Sequence, residues 1–179
     1  MEIKDSDFYK FLSPRITGLI TTIDSKGNVN AAPFSFLMPI SFQPPFLAFA
    51  CGHGKDTLLN CRETKEFVVN LPSEEILQQV WKCSEKFPRG VSELEKANLS
   101  EQKSKKVKVP RVKECFAWIE CKFEFEKEFG DHVLVVGKVV CAEVKDDVMK
   151  NGSLDIEKAK LLLHVSGKEF AIAERKVNV

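Results

Sequence analysis

Net charge is almost absent from this chain. Lys and Arg total 27 and Asp and Glu 26 in 179 residues, a formal charge of +1. Nothing in that balance draws the protein to nucleic acid or to an anionic membrane surface. Tyrosine (one) and tryptophan (two) are scarce beside 14 phenylalanines, a usage that suits a packed interior or an interface. The six cysteines stand at 51, 61, 83, 115, 121 and 141, and none forms a C-x-x-C pair. That argues against a zinc site or a thioredoxin-like motif. The start, MEIKDSDFYKF, carries charges where a signal peptide needs an apolar run. A reducing cytoplasm with free thiols is the expected setting. There is no internal repeat, low-complexity segment or linker. The length fits one domain over 1–179 with a sizeable core.

One region lacks charge altogether. From Gly27 to Gly54 no residue carries a formal charge when His53 is neutral, in a chain that is 30% charged overall. The stretch is long enough to cross a membrane, yet it contains Pro33, Pro39, Pro44 and Pro45. Four prolines so close together leave too many backbone groups unsatisfied for a helix in lipid. The region reads as buried strands joined by a Pro-containing loop, set against protein, a ligand or a second subunit.

The β-branched run 15–24 predicts a strand, DSKGN (24–28) a turn and 29–38 a second strand of a hairpin. Pro33 places that second arm at an edge or a bulge. Strands are expected at 45–51 and 66–71, and a helix at 55–65. A further helix is expected at 73–86, with Ser73 as N-cap, and a capping box at Ser92–Glu95. The basic segment 100–114 reads as a solvated loop. Residues 115–126 alternate, with Ala117, Ile119, Cys121, Phe123 and Phe125 on a buried face and Glu120, Lys122, Glu124 and Glu126 on a wet one. A return strand at 132–144, a short helix near 154–160 and a last strand near 168–177 complete the pattern. Mostly hairpin-linked strands with inserted helices indicate a mainly β fold, a barrel with helical decoration.

The sharpest local signal is GHGKDT (52–57). It is not a Walker A loop, because Phe49 stands where that motif needs glycine and Asp56 where it needs Ser or Thr. It is a Gly-bracketed turn from a strand into a helix. Free N–H groups, a positive dipole end, Lys55 and the Thr57 hydroxyl would meet there, the ingredients of a phosphate site; taken alone, the piece is better explained as an ordinary turn capped by Asp56. In NAAPFSF (30–36) small residues beside Phe34, Ser35 and Phe36 would let a flat ligand approach the backbone, though strand packing also explains them. His53, His132 and His164 have no second ligand at metal spacing. No Ser-His-Asp or Cys-His set can be assembled, and no G-x-G-x-x-G follows any strand.

Taken together, the segments resemble the flavin reductase-like, or flavoredoxin-related, family with its FMN-binding split barrel. SPRITGLITTIDSKGNVNAAPFSF and its continuation to Leu71, FPRGVSELEKANL (87–99), VPRVKECFAWIECKFE (109–124), GDHVLVVGKVV (130–140) and LLLHVSGKEFAI (161–172) follow the family's order over nearly the whole chain. HVSGKEF departs from it where a second Gly and a Tyr are more usual. The resemblance implies FMN rather than FAD, a homodimer, and NADH or NADPH as co-substrate. It implies that Ala32, Pro33, Phe34, Ser35 and Phe36 line the ring and ribityl chain. Cys51 would lie beside the flavin, with Arg15 a further contact. Lys55, Asp56, Thr57 and Asn60 would form the phosphate end. Gly130, Asp131, His132 and His164 would lie on the nicotinamide side, with His132 orienting or polarising.

Three functions fit such a chain. One is an enzyme passing hydride from NAD(P)H to FMN, and electrons onward to a ferric complex, oxygen or a partner protein. The second is an FMN electron carrier reduced by a protein partner. The third is a dimeric binding module without flavin.

Overall fold

The computed structural model describes residues 2–177. After a 3-10 segment, Asp5–Phe11, come β1 (Arg15–Ile16), β2 (Gly18–Ile23), β3 (Val29–Phe34), β4 (Leu37–Phe42) and β5 (Pro45–Gly52). Helix α1 (Asp56–Thr64), β6 (Glu66–Leu71), α2 (Leu77–Lys82) and α3 (Glu93–Lys96) follow. Then come β7 (Glu101–Gln102), β8 (Arg111–Val112), β9 (Ala117–Phe129) and β10 (His132–Val144). The chain closes with β11 (Met149–Lys150), β12 (Ser153–Leu154), α4 (Ile156–Ala159), β13 (Leu162–Ser166) and β14 (Glu169–Ile172).

Seven strands form one antiparallel sheet in the order β3-β2-β6-β9-β10-β5-β4. Its two edge strands are consecutive in the chain, so Ser35 and Phe36 alone span the gap between the edges. Phe34 still pairs with Gly18 on β2, whereas Phe36 already accepts a hydrogen bond from the Ala50 amide of β5, 2.9 Å away. This switch of partner is why the expected strand 29–38 breaks into two. Pro33 and Pro39 both lie on edge strands, where a missing N–H removes no ladder bond from the sheet interior.

Strand periodicity sorts side chains onto two faces. Ile20, Phe49, Phe67, Val69, Cys121, Val133 and Val135 fill the concave interior, closed by Leu58 and Cys61 of α1. Leu19, Ala31, Val68 and Trp118 point the other way, under α2, α3 and β13. Gly137 is required by this curl: a Cβ there would lie 2.3 Å from the Phe67 ring.

Several expectations need correcting. Thr17 gives its amide to the Leu162 carbonyl (3.0 Å) and splits the strand 15–24. Ser73 makes no capping bond, because its backbone bridges Leu161; a 3-10 turn, Glu74–Ile76, precedes the short α2. Ser92 does not cap α3 either; its buried hydroxyl has no partner among the described residues. Segment 100–114 is not simply solvated, since Val109 and Val112 are fully buried and Arg111 is 2% exposed. Glu120 draws it in. That carboxylate, itself fully buried, accepts hydrogen bonds from the amides of Lys105 (2.8 Å) and Lys106 (2.6 Å) and from Arg111 Nε (2.7 Å). Glu120 therefore leaves the expected wet face, because both faces of the sheet are covered at this end. Phe125, beyond a register shift in the β9–β10 pairing, is exposed instead. The last strand ends at Ile172, and β13 was not expected.

Candidate functional site

A cleft of about 580 Å³ opens at the gap between the two sheet edges. One wall is β3 and its exit, with Ala32, Pro33, Phe34, Ser35 and Phe36. The facing wall is the end of β5, Ala50 and Gly52, continuing through Gly54 and Lys55 to Asp56 and Thr57 of α1. Arg15, His132 and His164 stand at one end. These eleven sequence-predicted residues, Arg15, Ala32 to Phe36, Lys55 to Thr57, His132 and His164, come from five separate segments, and the fold brings them to one cavity.

The polar end is built by the turn into α1. Gly54 adopts φ +70°, a left-handed conformation suited to glycine. Lys55 occupies the N-cap position without a side-chain cap, leaving the first-turn amides of α1 without an intrahelical partner. Asn30 donates to Thr57 Oγ1 (3.0 Å) and to Thr22 Oγ1 (3.2 Å), and Asn60 donates to Thr22 Oγ1 (3.1 Å). Thr57 thus accepts from within the fold and keeps its own proton for the cleft. Asp56 is held otherwise: its carboxylate pairs with Arg89 (2.9 Å), which also pairs with Glu63 (2.9 Å).

At the opposite end Arg15 spends its guanidinium on protein. NH1 donates to the carbonyls of Tyr9 and Leu12 (both 2.9 Å), and the group lies over the Phe36 ring at 5.4 Å. His132 also packs against Phe36, with ring centroids 5.7 Å apart. Its Nδ1 is 2.8 Å from Asp131, and this hydrogen bond holds the Asp131 carboxyl below the usual carboxylate range.

Four named residues do not line the cleft. Cys51 is fully buried in the core, where desolvation pushes its thiol up to about 11. Asn60 sits beneath the cleft in the threonine–asparagine network. Gly130 and Asp131 shape the β9–β10 turn; the Gly130 carbonyl contacts His53 Nε2 at 3.1 Å. Sequence reading missed Tyr9, Asn30, the run Cys83–Phe87 and Glu93, all of which line the cavity. Glu93 accepts the Ala31 amide at 2.9 Å, and burial raises its carboxyl above the usual range. In sequence it stands inside the expected Ser92–Glu95 capping box, with no role of its own.

Residues 12–170 match the flavin reductase like domain. The chain belongs to the flavin reductase-like family. It is 39% identical over 160 residues to an uncharacterized protein of Methanothermobacter thermautotrophicus, covering 86% of this chain and 76% of that one. The crystal structure of nitrilotriacetate monooxygenase component B from Bacillus cereus superposes with a TM-score of 0.89 at 26% identity, covering 99% of this chain and 95% of the other. Flavoredoxin from Methanosarcina acetivorans shares the fold, with a TM-score of 0.86 at 20% identity over 100% of this chain and 94% of that chain. The open sheet with joined edges is thus the split β-barrel of a flavin reductase-like protein. Among the described residues no helix is long and apolar enough to cross a membrane, and the six cysteines are free.

Proposed function

We propose that this flavin reductase-like protein binds FMN in the edge-gap cleft and takes hydride from NADH or NADPH. The observation that carries the reading is the cleft's polarity. A wall of small and aromatic residues ends on first-turn helix amides that lack an intrahelical partner, the Thr57 hydroxyl and Lys55. A flat ring tipped with a phosphate needs both halves. The volume lies within the range of cofactor sites, about 300–1,000 Å³. Bound FMN would supply hydride acceptance and electron transfer onward to a ferric complex, oxygen or a partner protein. The chain supplies position. Ala32 and Pro33 let a ring approach the backbone, Phe34 and Phe36 cover its apolar area, and Thr57 and Lys55 meet the phosphate. Arg89 neutralises Asp56 so that its carboxylate does not repel that phosphate. His132, at the cleft mouth beside Phe36, orients the nicotinamide.

We also propose a homodimer. Met38, Ile40 and Phe42 on edge strand β4 are 53%, 49% and 87% exposed, and Phe8, Phe11 and Leu12 lie exposed in the N-terminal segment. An apolar row of this kind on an unpaired edge suits a second copy.

The test is anaerobic. FMN-loaded protein receives NADH or NADPH while the visible flavin band is followed. Prompt bleaching by either donor supports the reading. A band that persists with both, yet bleaches with dithionite, assigns an electron carrier reduced by a protein partner.

A further inference from the structure

His164 is pinned from both sides. Its Nε2 lies 3.2 Å from the Gly167 carbonyl, which can only accept a hydrogen bond. The ring proton therefore belongs on Nε2. Nδ1 then faces Ser35 Oγ at 3.2 Å and Arg15 NH2 at 3.4 Å, and a proton there would confront the guanidinium. The single Nδ1 lone pair then has two donors before it, and the Ser35 hydroxyl at 3.2 Å is nearer than Arg15 NH2 at 3.4 Å, so the hydroxyl takes it. Arg15 Nε–H donates to Ser35 Oγ (3.4 Å), the Ser35 hydroxyl donates to His164 Nδ1, and His164 Nε2–H donates to Gly167. Pairing of Arg15 with His164 across β1 and β13 holds the two ends in register.

A serine hydroxyl has one proton and two lone pairs. Here the proton goes to His164 and one lone pair to Arg15. What remains toward the cleft is a single lone pair. Arg15 leaves this count as it is, since NH1 is taken by the Tyr9 and Leu12 carbonyls and NH2 stands farther from Nδ1, at 3.4 Å, than the Ser35 hydroxyl does.

We propose that His164 is a positioning residue that makes Ser35 a hydrogen-bond acceptor only, so that this wall selects a heterocyclic ligand presenting an N–H edge there. A ligand carbonyl or bare ring nitrogen at that point would meet lone pair against lone pair. The proposal rests on the flavin reading for its ligand, the isoalloxazine ring with its N–H group, but not for the hydrogen-bond order.

Two measurements test it. Long-range proton–nitrogen NMR on the ligand-free, histidine-labelled protein reads the tautomer. A proton on His164 Nε2 is expected; a proton on Nδ1 overturns the proposal whatever the protein binds. FMN titration then compares variants. Loss of one neutral hydrogen bond, about 1 kcal/mol, corresponds to roughly fivefold. Ser35→Ala and His164→Ala should each weaken FMN about fivefold, and the double variant should be no weaker than either. His164→Asn, whose amide oxygen can stand in for Nδ1, should stay within about twofold of the parent. Additive losses, or no rescue by asparagine in a protein of unchanged Tm, would overturn it. Should the parent bind no flavin, the functional reading falls, and the spectrum alone decides the hydrogen-bond order.

Discussion

Thr57→Val separates the two ends of the cleft. Thr57 is 2% exposed, and its hydroxyl accepts the Asn30 amide at 3.0 Å, leaving its proton to a phosphate oxygen. Valine keeps the shape and removes that donor. A hydrogen bond to a charged group contributes about 1.5–3 kcal/mol, so FMN should bind roughly 10- to 150-fold more weakly. The fold should tolerate the change. Asn30 retains Thr22 Oγ1 at 3.2 Å as acceptor, which limits the stability loss to about 1 kcal/mol. Riboflavin has the same ring and ribityl chain without the phosphate, so its affinity should change less than about twofold. Both are measured by quenching of flavin fluorescence. Equal weakening of FMN and riboflavin, or no weakening of either, would refute the assignment of this helix start to the phosphate.

Gly137→Ala should overpack the barrel interior, because its Cβ would stand 2.3 Å and 2.6 Å from two ring atoms of buried Phe67. The expected cost is about 1–3 kcal/mol, a Tm loss of roughly 3–10 °C by calorimetry; an unchanged Tm would mean that the sheet relaxes there. Glu120 is penalised by burial, but the Lys105 and Lys106 amides and Arg111 outweigh this and hold its carboxyl below the usual range. Its contribution is therefore complete above the ordinary carboxylate pKa and is lost as pH falls through the lowered folded value. Glu120→Gln should be less stable at neutral pH and lose less on acidification, checked by urea unfolding from pH 7 to pH 3; parallel curves would contradict it. His132→Ala should slow flavin reduction by NAD(P)H in stopped flow while FMN stays bound, and an unchanged rate would remove His132 from the mechanism. Sedimentation should find a dimer that Phe42→Asp weakens; a monomer with FMN fully bound would count against the proposed interface.

The strands were legible where alternation and turn residues agreed. Glu66–Leu71 and His132–Val144 match their expected bounds. Pro33 correctly marked an edge, and the Gly-bracketed turn correctly marked the start of α1. What stayed hidden depends on distant partners. Nothing near Glu120 in sequence announces that loop 100–114 will fold over it, so its charge read as solvent-facing. Glu93 drew no notice beside the expected Ser92–Glu95 cap because the amide it receives, that of Ala31, is 62 residues away. The run Cys83–Phe87 lines the cleft only because α2 ends after Lys82, earlier than expected. The pairing of His164 on β13 with Arg15 on β1, 149 residues apart, left no local mark in the sequence.

The most direct test of the account is a crystal structure of the FMN complex. It should place the ring against Ala32–Phe36 and the phosphate on the amides at the start of α1, beside Lys55 and Thr57. A flavin bound elsewhere, or a cleft left without flavin at saturating FMN, would contradict the central claim.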